Sequence, residues 1–172
     1  MDEATPTDLA PLREPPAAPQ VAAHNFRFSE DYDLYPSGAK TKYKNNVMAI
    51  KLLKQIELEK RTATPEEQII LARYVGWGGL ANAFSSTASG WENEYQELKS
   101  LLTDVEYKAA MNSTITAYYT EPDLIRHIYR ALERFGFEGG PDRKILDPGM
   151  GTGNFYSVLP EQFQGSKLFG VE

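Results

Sequence analysis

The chain has 172 residues, 41% of them hydrophobic, which suffices for one ordinary globular domain or for a small domain with part of a second. It contains no cysteine, so a disulfide framework and thiolate metal sites are excluded, and we expect no metal. Its 24 acidic and 18 basic residues give a net charge of −6, whereas proteins that mainly grip a nucleic-acid backbone are usually basic.

Residues 1–24 form an acidic, proline-rich segment with few apolar side chains. Such a composition cannot bury enough surface to offset the entropy of ordering, so the sequence predicts a disordered Pro/Ala-rich tail. The segment has neither the basic start nor the apolar stretch of a secretory signal, and no apolar run in the chain approaches the ~20 residues of a membrane span. We therefore expect a cytoplasmic protein without membrane association.

Residues 25–112 are predicted to be a helical region. A helix over 44–59 is indicated by apolar residues at steps of three, namely Val47, Ile50, Leu53 and Ile56. Thr64 and Thr103 are each followed three residues later by glutamate, which is the pattern of a capping box at a helix start. Between these two starts, the sequence "GWGGL" ends the second helix at Gly76, and we interpret it as a packing turn around its tryptophan.

Residues 113–172 change in character. A helix is predicted from Pro122, followed by a strand over 144–146, a glycine-rich turn, a helix from Gly153 and a second strand over 167–171. This order is the opening β-α-β unit of a Rossmann-like α/β sheet that normally has more strands. We therefore expect the truncated start of a cofactor-binding domain.

The glycine-rich turn "DPGMGTGN" can be compared with three kinds of ligand site, all of which lie beyond the carboxyl ends of strands. A phosphate-binding P-loop requires Lys and Ser or Thr after its last glycine, and Asn154 and Phe155 occupy those places. A dinucleotide site requires a third glycine where Asn154 stands, so this match is incomplete. The third kind is a site for S-adenosylmethionine (AdoMet).

An acid at the end of the first strand suits a ligand with a positively charged amino group and repels a pyrophosphate. Asp147, followed by Gly151 and Gly153, fits such a site for the α-amino group of AdoMet. Glu172 follows the second strand, where a carboxylate can accept hydrogen bonds from the ribose hydroxyls. The sequence favours AdoMet; the alternative is a tight turn in another α/β protein, with Asp147 capping the helix and Glu172 simply exposed.

The stretch "LDPGMGTGNF" resembles motif I of the amino-group DNA methyltransferases, and "AYYTEPDLIRHIY" resembles the element that precedes it in the adenine N6 enzymes. The resemblance implies a class I AdoMet-dependent methyltransferase fold. It also implies that the second stretch touches the carboxylate end of AdoMet, although Glu121 separates its threonine from the proline that usually follows directly. The cofactor-binding residues it implies are Tyr119, Thr120, Asp147, Pro148, Gly149, Gly151, Thr152, Gly153 and Glu172.

From about Lys40 to Glu172 the chain is similar to the start of the large methylase–helicase proteins of phages and conjugative elements, including the defence-against-restriction proteins. This implies DNA as a partner through downstream parts, and a fused or associated helicase. Amine methylation in the family uses an Asn/Asp-Pro-Pro-aromatic motif, and the one Pro-Pro here, Pro15-Pro16, lies in the predicted tail without the flanking residues. We therefore assign no catalytic residue and expect the chain alone to be inactive.

A different class of function is a non-catalytic module of a mobile-element protein, in which the helical region binds DNA or a protein. Its sequence basis is a run of basic residues, interrupted by Glu57 and Glu59, which equally fits a solvated helix face. The run consists of Lys40, Lys42, Lys44, Lys51, Lys54, Lys60 and Arg61.

Overall fold

The computed structural model describes residues 26–35, 37–117 and 119–172, so the predicted tail over 1–24 lies outside the described residues. Short 3-10 turns at Glu30–Tyr32, Ala81–Phe84 and Glu161–Phe163 connect the main elements. In chain order, the helices and strands are α1 (Ala39–Glu59), α2 (Pro65–Ala72), α3 (Glu92–Leu101), α4 (Asp104–Ser113), α5 (Pro122–Arg134), β1 (Lys144–Asp147), α6 (Asn154–Ser157) and β2 (Lys167–Gly170).

The described chain is a mixed α/β structure in which helices dominate and β1 and β2 form a two-stranded parallel sheet. The register places Lys144 opposite Lys167 and Asp147 opposite Gly170. The chain crosses from β1 to β2 through the glycine-rich turn and α6, which confirms the predicted β-α-β order. Helix α6, predicted as a helix from Gly153, is one turn long and has Gly153 as its N-cap.

The helical region has an aromatic core that joins α1, α3, α4 and the turn after α2. The Trp77 ring lies 5.2 Å from Phe84 and 6.3 Å from Tyr43, measured between ring centroids. Trp77 is only 2% exposed, so the interpretation of its turn as a packing element is confirmed. Further buried members of this core include Val47, Leu80, Trp91, Leu98 and Tyr107.

The predicted buried stripe of α1 was partly wrong. Leu53 is 45% exposed, whereas Asn46, which the apolar pattern passes over, is fully buried. The Asn46 side chain donates from Nδ2 to the Gly76 carbonyl at 2.7 Å and accepts at Oδ1 from the Val75 N–H at 2.9 Å. An amide paired on both sides can be buried at low cost, and its position depends on a turn thirty residues away.

A second core covers one face of the sheet. Ile125 and Tyr129 of α5 pack with Leu159 and Phe163, and the inward side chains of β1 and β2 lie against this cluster. The opposite face of the sheet is open, since Leu146 is 62% exposed and Phe169 is 49% exposed. These two residues face each other across the strands.

A strap over 26–35 precedes α1 and contacts α6 and the end of α2. The Phe28 N–H donates to the Ser157 carbonyl at 2.9 Å, and Arg27 donates from Nη1 to the Tyr156 carbonyl at 3.1 Å. The strap also accepts, at the Tyr32 carbonyl, a 3.1 Å hydrogen bond from Arg73 Nη2. It therefore ties α6 to the end of α2.

Both predicted capping boxes are confirmed, and the first gives the fold an acid-sensitive element. Glu67 accepts from Arg61 Nη1 at 2.6 Å and from the Thr64 N–H at 2.9 Å, and these bonds lower the pKa of its carboxyl to about 2. A lowered folded-state pKa means that the stabilisation is complete above the ordinary pKa of ~4.3 and is lost as the pH falls towards 2.

We expect Glu67→Gln to lower the melting temperature at pH 6 and to leave it nearly unchanged at pH 2, because the protonated wild-type carboxyl no longer pairs with Arg61. Thermal unfolding of both proteins between pH 7 and pH 2 measures this. Glu66→Gln, a change at the neighbouring exposed position, should follow the wild-type profile. A constant difference between wild type and Glu67→Gln across that range contradicts the assignment.

Candidate functional site

The two acids predicted to bind cofactor lie at the same edge of the sheet. Asp147 ends β1, and Glu172 follows β2 by two residues. The Val171 N–H donates to the Asp147 carbonyl at 3.0 Å, which holds the two chain segments side by side beyond the paired strands. The parallel register therefore brings together a pair of carboxylates that are far apart in sequence.

The glycine-rich turn between the acids is anchored to β2 by backbone hydrogen bonds. The Met150 N–H donates to the Val171 carbonyl at 2.9 Å, and the Gly153 N–H donates to the Met150 carbonyl at 2.9 Å. Gly151 has φ +53° and Gly153 has φ +81°, which is the left-handed region that side chains other than glycine seldom adopt. A Cβ on Gly151 would also lie 2.7 Å from the Tyr119 ring. The turn therefore requires glycine for both conformation and space.

The Asp147 carboxylate has one oxygen with a hydrogen-bond partner and one without. Oδ1 accepts from the Gly149 N–H at 3.2 Å, which closes a local turn around the exposed Pro148. Oδ2 is buried and has no hydrogen-bond partner, the one such side-chain atom in the described part of the chain. A buried acceptor without a partner costs free energy unless a ligand donates to it. The atom thus fits a ligand that carries an ammonium group.

Tyr156 bridges the strands beside this acid. Its hydroxyl accepts from the Asp147 N–H at 3.0 Å and donates to the Phe169 carbonyl. The sequence analysis missed this residue, because a tyrosine on a short helix carries no signal that its hydroxyl reaches two strand backbones. Tyr156 fixes the backbone from which the Asp147 carboxylate extends.

Glu172 reaches back to the turn. Its Oε2 accepts a 2.7 Å hydrogen bond from the Gly151 N–H, so the second acid lies directly over the glycines. The residue is exposed, and its carboxylate is held in place by this backbone hydrogen bond.

Tyr119 and Thr120 also lie beside the turn. The Tyr119 ring contacts Gly151, and burial, followed by the nearby Glu172 carboxylate, raises the pKa of its hydroxyl above the usual range. Thr120 is tied to the turn by its backbone, since its carbonyl accepts from Asn154 Nδ2 at 3.1 Å. Glu121 is exposed at the start of α5 and lines the same cavity as Tyr119.

Thr152 is the exposed tip of the turn, and its hydroxyl donates to Asn154 Oδ1 at 3.1 Å. Asn154 therefore links this tip to Thr120, a role that the sequence analysis missed when it treated the position only as a missing glycine.

Cavities surround the turn, but the paired acids do not line the three nearest to it. One of about 410 Å³ lies between the strap, α2 and the turn; a second of about 540 Å³ borders Gly153 and Gly170; a third of about 490 Å³ borders Tyr119 and Gly78. The candidate site is therefore defined by the charge and hydrogen-bond capacity of its residues and not by an enclosed volume.

Three of the seven residues of the basic run pair with acids of α3 and α4. Lys40 lies 2.6 Å from Glu94, Lys51 lies 2.7 Å from Glu97, and Lys54 lies 2.9 Å from Glu106, measured between charged atoms. Ion pairs of this kind reduce the positive potential that phosphate binding requires. The contacts favour a solvated packing face over a nucleic-acid surface.

Comparisons with protein-family models, with curated proteins and with solved structures find no match to the chain. Across residues 26–35, 37–117 and 119–172, no helix is long and apolar enough to cross a membrane. The same three ranges hold no cluster of three or more His, Asp or Glu side chains arranged for a metal ion.

Proposed function

We propose that the chain binds AdoMet at the edge of its parallel sheet, as the cofactor-binding part of an AdoMet-dependent DNA adenine N6-methyltransferase with a Rossmann-like domain. One observation carries the proposal. Two carboxylates follow adjacent parallel strands on either side of a glycine turn, and one of them holds a buried oxygen without a partner. A pyrophosphate is disfavoured there by both charges, whereas an amino group and a ribose are favoured.

In this proposal Asp147 accepts from the α-amino group through Oδ2, and Glu172 accepts from the ribose hydroxyls. Tyr119 and Thr120 bound the carboxylate end, and Gly149, Gly151 and Gly153 let the backbone approach the ligand. Pro148 and Thr152 complete the turn. When bound, AdoMet supplies an electrophilic methyl group; no residue of this chain is assigned to its transfer. DNA and a fused or associated helicase are the partners that the sequence resemblance adds.

Calorimetric titration of the 172-residue chain with AdoMet tests the proposal. We expect binding to AdoMet and to S-adenosylhomocysteine, which share the amino group and the ribose, and none to NAD or ATP. Preferential binding of NAD or ATP refutes the assignment, since it would mean that the two acids tolerate phosphates. Absence of any AdoMet binding by a folded chain refutes it equally.

The ribose role gives a separate prediction. Glu172→Gln keeps an oxygen that can accept from the Gly151 N–H but removes the charge, so we expect AdoMet affinity to fall by about tenfold with little change in melting temperature. Titration measures the first effect and thermal unfolding the second. Glu161→Gln, an exposed change distant from the turn, serves as the control and should bind like wild type. Equal AdoMet affinities of wild type, Glu172→Gln and Glu161→Gln would show that Glu172 is not part of the binding site.

A further inference from the structure

The turn over 74–80, with the sequence "YVGWGGL", packs closely against Thr114, Ala117 and Tyr119. The Gly79 N–H donates to the Thr114 carbonyl at 3.3 Å. A Cβ on Gly78 would collide with the Ala117 carbonyl oxygen, and a Cβ on Gly76 would collide with the Tyr119 ring at Cε2. At these glycines the backbone of the helical region directly contacts the segment that leads into the candidate site, and no side chain lies between them.

Tyr119 lies between two glycines from different parts of the chain. A Cβ on Gly76 would lie 3.1 Å from Tyr119 Cζ, besides meeting Cε2 on one edge of the ring. A Cβ on Gly151 would lie 2.7 Å from Cε1 and 2.9 Å from Cδ1 on the other edge. The ring therefore fills a slot whose two walls are the helical region and the glycine-rich turn.

The wall on the helical side is fixed rather than adaptable. Asn46, fully buried, holds both the Val75 N–H and the Gly76 carbonyl, and Trp77 anchors the next residue in the aromatic core. Gly76 has φ +71°, so its conformation is also one that other residues adopt at a cost. Because this wall is fixed, the Tyr119 ring cannot move away from Gly151.

We propose that Gly76 is a positioning residue of the AdoMet site: the turn of the helical region seats Tyr119 against Gly151. The helical region is then part of the cofactor pocket and not a separate module. The inference rests on the proposed function, because it concerns the residue that bounds the carboxylate end of AdoMet. Its physical content, a steric coupling between Gly76 and Tyr119, can be measured with or without the ligand.

The test uses two glycines of the same turn. Gly76→Ala and Gly79→Ala carry the same backbone strain, since φ is +71° and +73°, but nothing lies within 4 Å of a Cβ on Gly79. We expect Gly79→Ala to lower the melting temperature by about 2–4 °C and to leave AdoMet affinity within about twofold. Gly76→Ala should lower the melting temperature by about twice as much and weaken AdoMet binding by about tenfold. Equal affinities for these two variants overturn the proposal.

Tyr119→Ala supplies the coupling measurement. In that background the ring is gone, so we expect Gly76→Ala to cost no more melting temperature than Gly79→Ala and to change AdoMet affinity no further. Additive effects of Gly76→Ala and Tyr119→Ala on melting temperature overturn the proposal. If Gly76→Ala alone fails to fold, the double variant with Tyr119→Ala is decisive. Recovery of folding in it supports the contact between Gly76 and Tyr119, and continued failure overturns the proposal.

These outcomes separate the inference from the proposed function. A folded wild type that does not bind AdoMet refutes the function. The thermal double-mutant cycle then tests by itself whether Gly76 positions Tyr119. Non-additive effects on melting temperature support this positioning, and additive effects overturn it.

Discussion

Asp147→Asn is expected to weaken AdoMet binding by about 10- to 100-fold. The amide keeps Oδ1 as an acceptor for the Gly149 N–H, so the turn is retained, but the charge at the buried Oδ2 position is removed. A charge-assisted hydrogen bond contributes about 1.5–3 kcal/mol, and each 1.4 kcal/mol corresponds to tenfold in affinity. Calorimetric titration of wild type and variant measures the difference.

Asp142→Asn is the matched control for this change. It removes the same charge from an exposed position in the segment just before β1. It should leave AdoMet affinity unchanged, which excludes a general effect of net charge. Asp147→Asn that binds AdoMet as tightly as wild type, while its melting temperature is retained, would show that the unpartnered oxygen does not face the ligand.

Asn46→Ala is expected to destabilise the fold by about 2–4 kcal/mol. The substitution leaves the Val75 N–H and the Gly76 carbonyl without their partners inside the helical core, and each unpaired buried group costs about 1–3 kcal/mol. For a chain of this length the corresponding fall in melting temperature is about 5–15 °C. Chemical denaturation gives the free energy of unfolding, and thermal unfolding gives the temperature.

Asn45→Ala makes the same chemical change one residue earlier on α1, where the side chain is only partly buried. It should cost no more than about 0.5 kcal/mol, as surface substitutions usually do. Similar losses for the two variants would mean that the paired amide does not account for the effect at position 46.

Sequence reasoning succeeded where the structural signal is local. The helix starts at Thr64 and Thr103 follow from hydroxyls and glutamates three residues apart, and the start of α5 follows from the restricted φ of Pro122. The β1–turn–β2 order was likewise readable from an apolar run followed by glycines. Proximity of Asp147 and Glu172 then follows from parallel pairing alone, whereas their role towards AdoMet stays a prediction.

Sequence reasoning failed where the position of a side chain depends on backbone groups that are distant in the sequence. Leu53 fits the apolar period of α1 but is exposed, and Asn46 breaks the period but is buried because it pairs with residues 75 and 76. The slot around Tyr119 depends on Gly76 and Gly151, which are neighbours only in the folded chain. Hydrophobic periodicity carries no information about such partners.

The strap has a consequence for the order in which the chain folds. Its hydrogen bond from Arg27 to the Tyr156 carbonyl joins residues 129 positions apart, whereas the capping boxes and the turns between helices close over a few residues. Long-range closure is entropically costly and forms slowly, so contacts of the helical region assemble before this one. Nascent chains would therefore complete the early helices first, and the strap would close onto α6 in a late step of folding.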